Sequence, residues 1–252
     1  GVPRLCLADR ERPQEQQKLS VIIPVFNEVS TVEDVLERIA TVDIPIAKEV
    51  IVVDDGSYDG TRQILKARRD DERCRELIHL SLANLGKGAA VRTGLKHATG
   101  NLILIQDADL ELDPQEYPKL LRPMLAGDAD VVYGVRNFWR AEGSHLTTRY
   151  GNFLLSSLTS MLYQCHISDV ATAYKLFRRE VLAQVKLTGV GFDFDPEVTS
   201  KILCLGYEIT EVPITYHPRS YAQGKKIKWT DGVTAIWILI HGRLRPMKGA
   251  VH

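Results

Sequence analysis

Apolar residues fall into short, nearly unbroken runs separated by amphipathic stretches. LSVIIPVF, residues 19–26, predicts a strand buried on both faces, as in a parallel sheet. Val32, Val35, Leu36 and Ile39 then recur at i, i+3, i+4 and i+7, the spacing of an amphipathic helix. Ser30 or Thr31 is its expected cap, with Glu33 or Asp34 in the first turn. KEVIVVDD (48–55) repeats the strand pattern, and GSYDGT opens a turn and a charged helix over residues 61–73. ELIHLS predicts a short third strand, NLGKGAAVRTGLKHA a glycine-rich turn and helix, and NLILIQD a fourth strand.

The second half is less regular. DPQEYPKLLRPML predicts a helix interrupted by Pro118, and ADVVYGVR a fifth strand ending at Arg136. A helix is expected over residues 151–163, then TAYKLFRREVL, then a helix through Pro196 to Leu205. EITEVPITYHP is extended, and KKIKWTDGVTAIWILIHGRL predicts a final helix. The alternation of strand and helix argues an α/β fold, a mostly parallel, doubly wound sheet with flanking helices. The expected division is a flexible lead over residues 1–18, one domain over 19–231, and a terminal helix and tail over 232–252. Ligands of such sheets sit beyond the carboxyl ends of the strands, where Asp54, Asp55 and Asp107 fall.

Composition narrows the function classes. The 252 residues contain 44% hydrophobic and 25% charged side chains, enough for a sizeable core and unlike a disordered chain. Lys plus Arg equals Asp plus Glu at 32 each, so no global field argues for nucleic acid. Cys6, Cys74, Cys165 and Cys204 are scattered, form no CxxC pair, and read as free thiols. No leader-like segment or run of about 18 apolar residues stands in the chain, so the expected location is the cytoplasm or the cytoplasmic face of a membrane.

Several stretches carry candidate chemistry. Asp55, in VVDDGSYDGT, has a carboxylate suited to the donors of a nucleobase or ribose; a surface turn with capping acids is the alternative. NLGKGAAVRTG lacks the Lys-Ser/Thr of a Walker loop and the G-x-G-x-x-G of a dinucleotide site. Its glycines suit close packing of a helix on the sheet, and Lys87 and Arg92 are candidates for phosphate or for solvent. In QDADLEL, Asp107, Asp109 and Glu111 share a face if the chain is extended and can still converge if it turns. Carboxylates are hard ligands suited to Mg2+ or Mn2+, which would bridge donor phosphates. GVGFDFDPE adds Asp193, Asp195 and Glu197, and YHPRSYAQGKKIKW adds Arg219, Lys225, Lys226 and Lys228 among Tyr216, Tyr221 and Trp229. That local basic density suits an anionic ligand or a solvated face.

In the order SVIIPVFNE, VVDDGSYDGT, NLGKGAAVRTG, QDADLELDP, YGVR, DVATAYKLFRREVL, GFDFDPE and GYEITEVPITYHPRS, the chain resembles the inverting family 2 glycosyltransferases. Within them it is similar to dolichyl-phosphate and polyprenyl-phosphate sugar synthases, over about residues 19–231. The resemblance implies a GT-A fold whose first four strands carry the nucleotide-sugar half. It implies that Pro24, Phe26 and Glu28 line the nucleotide site, that Asp55 contacts base or ribose, and that Asp107 and Asp109 hold the metal. Glu111 stands where that group often has Gln. Arg136, Arg219 and one of Lys225 or Lys226 are expected at an acceptor phosphate, and Asp169 near the donor sugar or the acceptor. If a base is needed, Asp193 or Asp195 is the candidate.

The implied reaction moves a hexose from UDP-glucose or GDP-mannose, with a slight lean to glucose, onto a lipid monophosphate. The alternatives are transfer to a glycan or small-molecule hydroxyl, and a nucleotide-sugar-binding protein without turnover. An oxidoreductase is disfavoured, because the fingerprint glycines are missing after the first strand. VTAIWILI (233–240) is too short to span a bilayer, which needs about 20 residues. With Trp229, Trp237 and Arg243 it reads as a core helix or an interfacial one, helped by a membrane-protein partner or a second copy.

Overall fold

The computed structural model describes residues 17–136, 146–219 and 229–244. Its strands are β1 (Lys18–Val25), β2 (Ala47–Asp54), β3 (Leu77–Leu80), β4 (Leu102–Ile105), β5 (Val131–Arg136), β6 (Lys175–Arg178) and β7 (Thr210–Ile214). The helices are α1 (Val32–Thr41), α2 (Thr61–Arg69), α3 (Lys87–His97), α4 (Tyr117–Leu125), α5 (Leu146–Tyr163), α6 (Arg179–Ala183), α7 (Phe194–Cys204) and α8 (Trp229–Leu244). The strands form one sheet in the order β3-β2-β1-β4-β6-β5-β7. β1 pairs in parallel with β2 and β4, and β2 with β3.

Two apolar layers sandwich this sheet. Leu19, Val21 and Ile23 of β1 face the layer that holds Val35, Leu36 and Ile39 of α1. The intervening Ile22 faces the other layer with Val91 of α3 and Val198 of α7. Burial on both faces explains why these strands read as continuous apolar runs rather than alternating ones.

β6 departs from the parallel rule. It lies antiparallel between β4 and β5, with Lys175 level with Ile105 and Tyr133. Because it runs the opposite way, its first residue, Lys175, reaches the edge where β1, β2 and β4 end. All four of its residues are buried, so TAYKLFRREVL shows no alternation to betray a strand.

Three local expectations change. Pro118 occupies the first turn of α4, where its missing N–H costs nothing, and the proline inside the helix is Pro123. Thr31 is the N-cap of α1, but its hydroxyl donates to the Ala108 carbonyl at 2.8 Å instead of accepting from the helix. The boundary at residue 231 cuts α8, which packs on α5 and α7. Tyr163 Oη donates to the Leu239 carbonyl at 2.8 Å, and Arg243 Nε to the Leu162 carbonyl at 2.9 Å.

Candidate functional site

A cleft of about 370 Å³ opens at the carboxyl ends of β1, β2 and β4, the edge where doubly wound sheets take ligands. The end of β1 supplies Pro24, Phe26 and Glu28, and β2 supplies Asp55. Lys87 stands at the start of α3, and the turn after β4 brings Asp107, Asp109 and Glu111. Arg136, Asp195 and Arg219 complete the expected set, with Phe192 and Gly191 added from the loop before α7. Lys225 and Lys226 lie outside the described residues.

Asp55 builds one wall. Its Oδ1 accepts from the Leu85 amide at 2.9 Å and Oδ2 from the Gly86 amide at 2.7 Å. Burial pushes its carboxyl above the usual range, against the pull of those two amides. Phe26 meets Tyr58 edge-to-face at 5.8 Å on the rim, an apolar flank suited to a base. The glycine-rich turn acts differently from a phosphate loop. Gly86, at φ 96°, and Gly88 leave no room for a Cβ, because the carbonyls of Val190 and Gly189 would lie 2.4 Å from it. The amides of Gly88 and Ala89 donate to Gly191 and Val190, so the turn clasps the loop before α7. Only Gly94 packs on the sheet, against Ile22. Arg92 reaches the Gly189 carbonyl and does not line the cleft.

The acidic stretch turns instead of staying extended. β4 ends at Ile105, Leu110 adopts φ 60°, and Asp109 Oδ1 accepts from the Glu111 amide at 3.1 Å. Gln106 holds both ends of this turn. Its Nε2 donates to the carbonyls of Asp107, at 2.9 Å, and Leu112, at 3.4 Å. Its Oε1 accepts from Tyr117 and Tyr174 at 2.8 and 2.7 Å. Burial, then the charges of Asp107 and Glu111, push the Asp109 carboxyl up to about 7, with Arg219 opposing.

The hard oxygens of such carboxylates fit Mg2+ or Mn2+. Among the described residues, however, no three His, Cys, Asp or Glu side chains converge as a metal cage. The expected trio of Asp107, Asp109 and Glu111 is therefore not assembled as one. Glu111 is turned to Arg219, whose amide donates to Oε1 at 3.0 Å. Asp107 and Asp109 both line the cleft, close enough for the charge of Asp107 to raise the Asp109 carboxyl.

The cations are tightly placed. Arg219 donates from Nε to the Asp109 carbonyl at 2.6 Å and from Nη2 to Glu28 at 2.8 Å. Arg136 forks onto fully buried Asp169, which does not line the cleft. Asp169 thus corrects its expected place near sugar or acceptor: it sits behind Arg136 and orients it. Lys87 Nζ lies 3.0 Å from Asp107 and 3.3 Å from Asp195. Burial works against its charge, but the two carboxylates outweigh this and raise its pKa.

Lys175 was not anticipated. Fully buried, it donates to Asp195 Oδ1 at 2.8 Å and to the carbonyls of Val170 and Thr172. The signal was a lone lysine inside the apolar run AYKLF.

The two candidate bases separate. Asp193 is corrected out of the cleft: its carboxylate accepts from the Gly191 amide at 2.6 Å and faces a second hollow between α7 and α8. Asp195 lines the cleft, but Lys175 and Lys87 overcome the effect of burial and hold its carboxyl below the usual range. A doubly paired, depressed carboxylate is a weak base.

Residues 20–186 match the model of glycosyl transferase family 2. Curated relatives include a dodecaprenyl-phosphate galacturonate synthase of Rhizobium johnstonii, 30% identical over 84% of this chain and 63% of its own length. Another is the low-salt glycan biosynthesis hexosyltransferase Agl6 of Haloferax volcanii, 30% identical over 80% of this chain and 48% of its own length. A third is an undecaprenyl-phosphate 4-deoxy-4-formamido-L-arabinose transferase of Sodalis glossinidius, 26% identical over 84% of this chain and 64% of its own. The chain thus spans less than two thirds of the length of each of these three relatives. In fold it is similar to glucosyl-3-phosphoglycerate synthase of Mycobacterium tuberculosis, solved with Mn2+, UDP and glucosyl-3-phosphoglycerate. The TM-score is 0.70 at 21% identity, covering 98% of this chain and 87% of that one. The fold is the GT-A type expected from the sequence, and the chain belongs to glycosyl transferase family 2.

Proposed function

We propose that this cleft transfers a hexose from a nucleotide diphosphate sugar to a polyprenyl or dolichyl monophosphate, inverting the anomeric carbon. The observation that carries the reading is that two arginines, Arg136 and Arg219, line the cleft while Asp195, the base expected there, is paired with both Lys175 and Lys87. A sugar hydroxyl needs a base to become a nucleophile. A phosphate monoester is already ionised near neutral pH, its second pKa being about 6. The cleft therefore suits the phosphate acceptor better than the hydroxyl one, and the names of two curated relatives point the same way.

In the reaction an acceptor phosphate oxygen attacks the anomeric carbon from the face opposite the nucleotide. The bond to the diphosphate breaks and its electron pair leaves with the diphosphate. Asp55 and Phe26 line the end proposed for the nucleoside, and Arg136 and Arg219 offset repulsion between the two anions. Asp107 and Asp109 would hold the divalent cation, which when bound offsets charge on the departing diphosphate.

Attachment to a membrane surface is part of this reading. Among the described residues no helix is long and apolar enough to cross a membrane. α8 buries Ala235 and Leu239 but exposes Val233, Trp237 and Leu244, and neighbouring α5 exposes Phe153, Leu154 and Met161. Such a surface suits the interface where a prenyl chain resides.

The test is a donor panel with a short polyprenyl phosphate and Mg2+ or Mn2+. UDP-glucose and GDP-mannose lead the panel, joined by nucleotide-linked uronic and amino sugars because two relatives are named for such groups. Transfer from one donor supports the reading, and no transfer from any donor overturns it.

A further inference from the structure

Lys87 sits on the carboxylate that the proposed metal needs. Its Nζ is 3.0 Å from Asp107 Oδ1 and 3.1 Å from Oδ2, and also 3.3 Å from Asp195 Oδ2. One ammonium therefore straddles both oxygens of Asp107. The other cations of the cleft are engaged elsewhere, Arg219 reaching Asp109 through a backbone carbonyl and Arg136 forking onto Asp169, while buried Lys175 behind the cleft meets Asp195.

The backbone under Lys87 is pinned on both sides. Asp55 holds the amides of Leu85 and Gly86, and the amides of Gly88 and Ala89 bond the loop before α7. Any displacement of the ammonium is therefore a rotation of its four-carbon stem, the mobile point charge that distinguishes lysine from arginine. A divalent cation and an ammonium on the same carboxylate repel, by an amount that grows as the cleft loses water.

We propose that Lys87 is a resident counter-ion on Asp107, displaced by the divalent cation and delivered to the diphosphate of the donor. The proposal rests on the metal reading above and deepens it. On displacement, Lys87 keeps Asp195 as an anchor and turns its N–H donors to phosphate oxygens. Asp195 keeps Lys175, so no buried charge is stranded. When the diphosphate leaves, Lys87 returns to Asp107. Cation and diphosphate then favour each other beyond their direct contact, since each removes what opposes the other, and the coupling is reciprocal.

The test uses binding, with no turnover. Mn2+ alone is titrated by electron paramagnetic resonance and UDP alone by calorimetry, in the wild type, Lys87→Met and Lys87→Arg. Lys87→Met is expected to bind Mn2+ about tenfold tighter and UDP about tenfold weaker, within the usual range of such couplings. Lys87→Arg keeps the charge and is expected to stay within about threefold of wild type in both. Lys87→Gln carries the same expectation as Lys87→Met and replaces it if that variant does not fold. Unchanged or weaker Mn2+ binding, or unchanged UDP binding, in the neutral variants overturns the proposal and leaves the metal reading standing. Absence of Mn2+ binding to wild type and neutral variants alike, with or without UDP, overturns the metal reading and the proposal with it.

Discussion

Arg136 and Asp169 form a two-point fork, with Nε 2.8 Å from Oδ2 and Nη2 2.8 Å from Oδ1. The Arg136 amide adds a third bond to Oδ2 at 3.1 Å, so one buried carboxylate fixes both the side chain and the end of β5. Asp169→Asn loses the charge but keeps the shape. It is expected to raise the KM for a phosphate acceptor about tenfold while leaving the donor KM little changed. It is also expected to lower stability by about 3 kcal/mol, the usual scale for a broken buried pair. Steady-state kinetics on both substrates and a denaturant melt check this.

The Asp109 carboxyl, pushed up to about 7, gives a pH signature. Below that value a proton competes with the metal, so apparent Mn2+ affinity is expected to fall about tenfold per pH unit below 7. The sign for stability is opposite. A carboxyl raised in the folded state opposes folding above its ordinary pKa, and that opposition fades as pH falls through about 7. Asp109→Asn should therefore raise the melting temperature at pH 8, lose that advantage progressively between about pH 7 and pH 4, and sharply weaken metal-dependent transfer. Equal melting curves at pH 8 would contradict the stability claim.

Glu49 offers a control far from the cleft, level with Ser20 on β1. Lys18, Ser20 and Thr99 outweigh its burial and hold its carboxyl at about 2. The stability it supplies is present above its ordinary pKa and is lost as pH falls from there toward 2. Glu49→Gln is expected to cost about 2 kcal/mol at pH 7, with the difference shrinking below pH 4 and transfer kinetics unchanged. Urea melts at pH 7 and pH 3 measure it.

Gln106 ties the acidic turn to the core through Tyr117, Tyr174 and two turn carbonyls. Gln106→Leu strands two buried hydroxyls and is expected to cost about 3 kcal/mol. Amide exchange over residues 107–112 should quicken before the rest of the sheet does. Uniform quickening would show that Gln106 serves the core and not the turn.

Much of this site was legible because strands buried on both faces announce themselves, and their ends mark the cleft. That reasoning placed Asp54, Asp55 and Asp107 at this edge; Asp55 and Asp107 line the cleft, whereas Asp54 is fully buried and pairs with Arg62. What it could not resolve was direction after a turn. Asp193 and Asp195 are two positions apart, yet α7 starts between them and sends one to its own loop and the other into the cleft. Asp169 carried the right chemistry at the wrong depth, since a sequence does not show which carboxylate stands behind an arginine. β6 has no period to read, because all four of its residues, Lys175 among them, are buried. Gln106 has no charge to draw notice, and its role lies entirely in four bonds to residues 1 to 68 positions away.

The most direct measurement compares a short polyprenyl phosphate with the matching prenol as acceptors, using the donor accepted in the panel, and assigns the product's anomeric configuration by NMR. Transfer to the phosphate alone, with inversion and dependence on Mg2+ or Mn2+, is the expected result. Transfer to the prenol at a comparable rate, or retention of configuration, would contradict a cleft built for inverting transfer to an anionic acceptor.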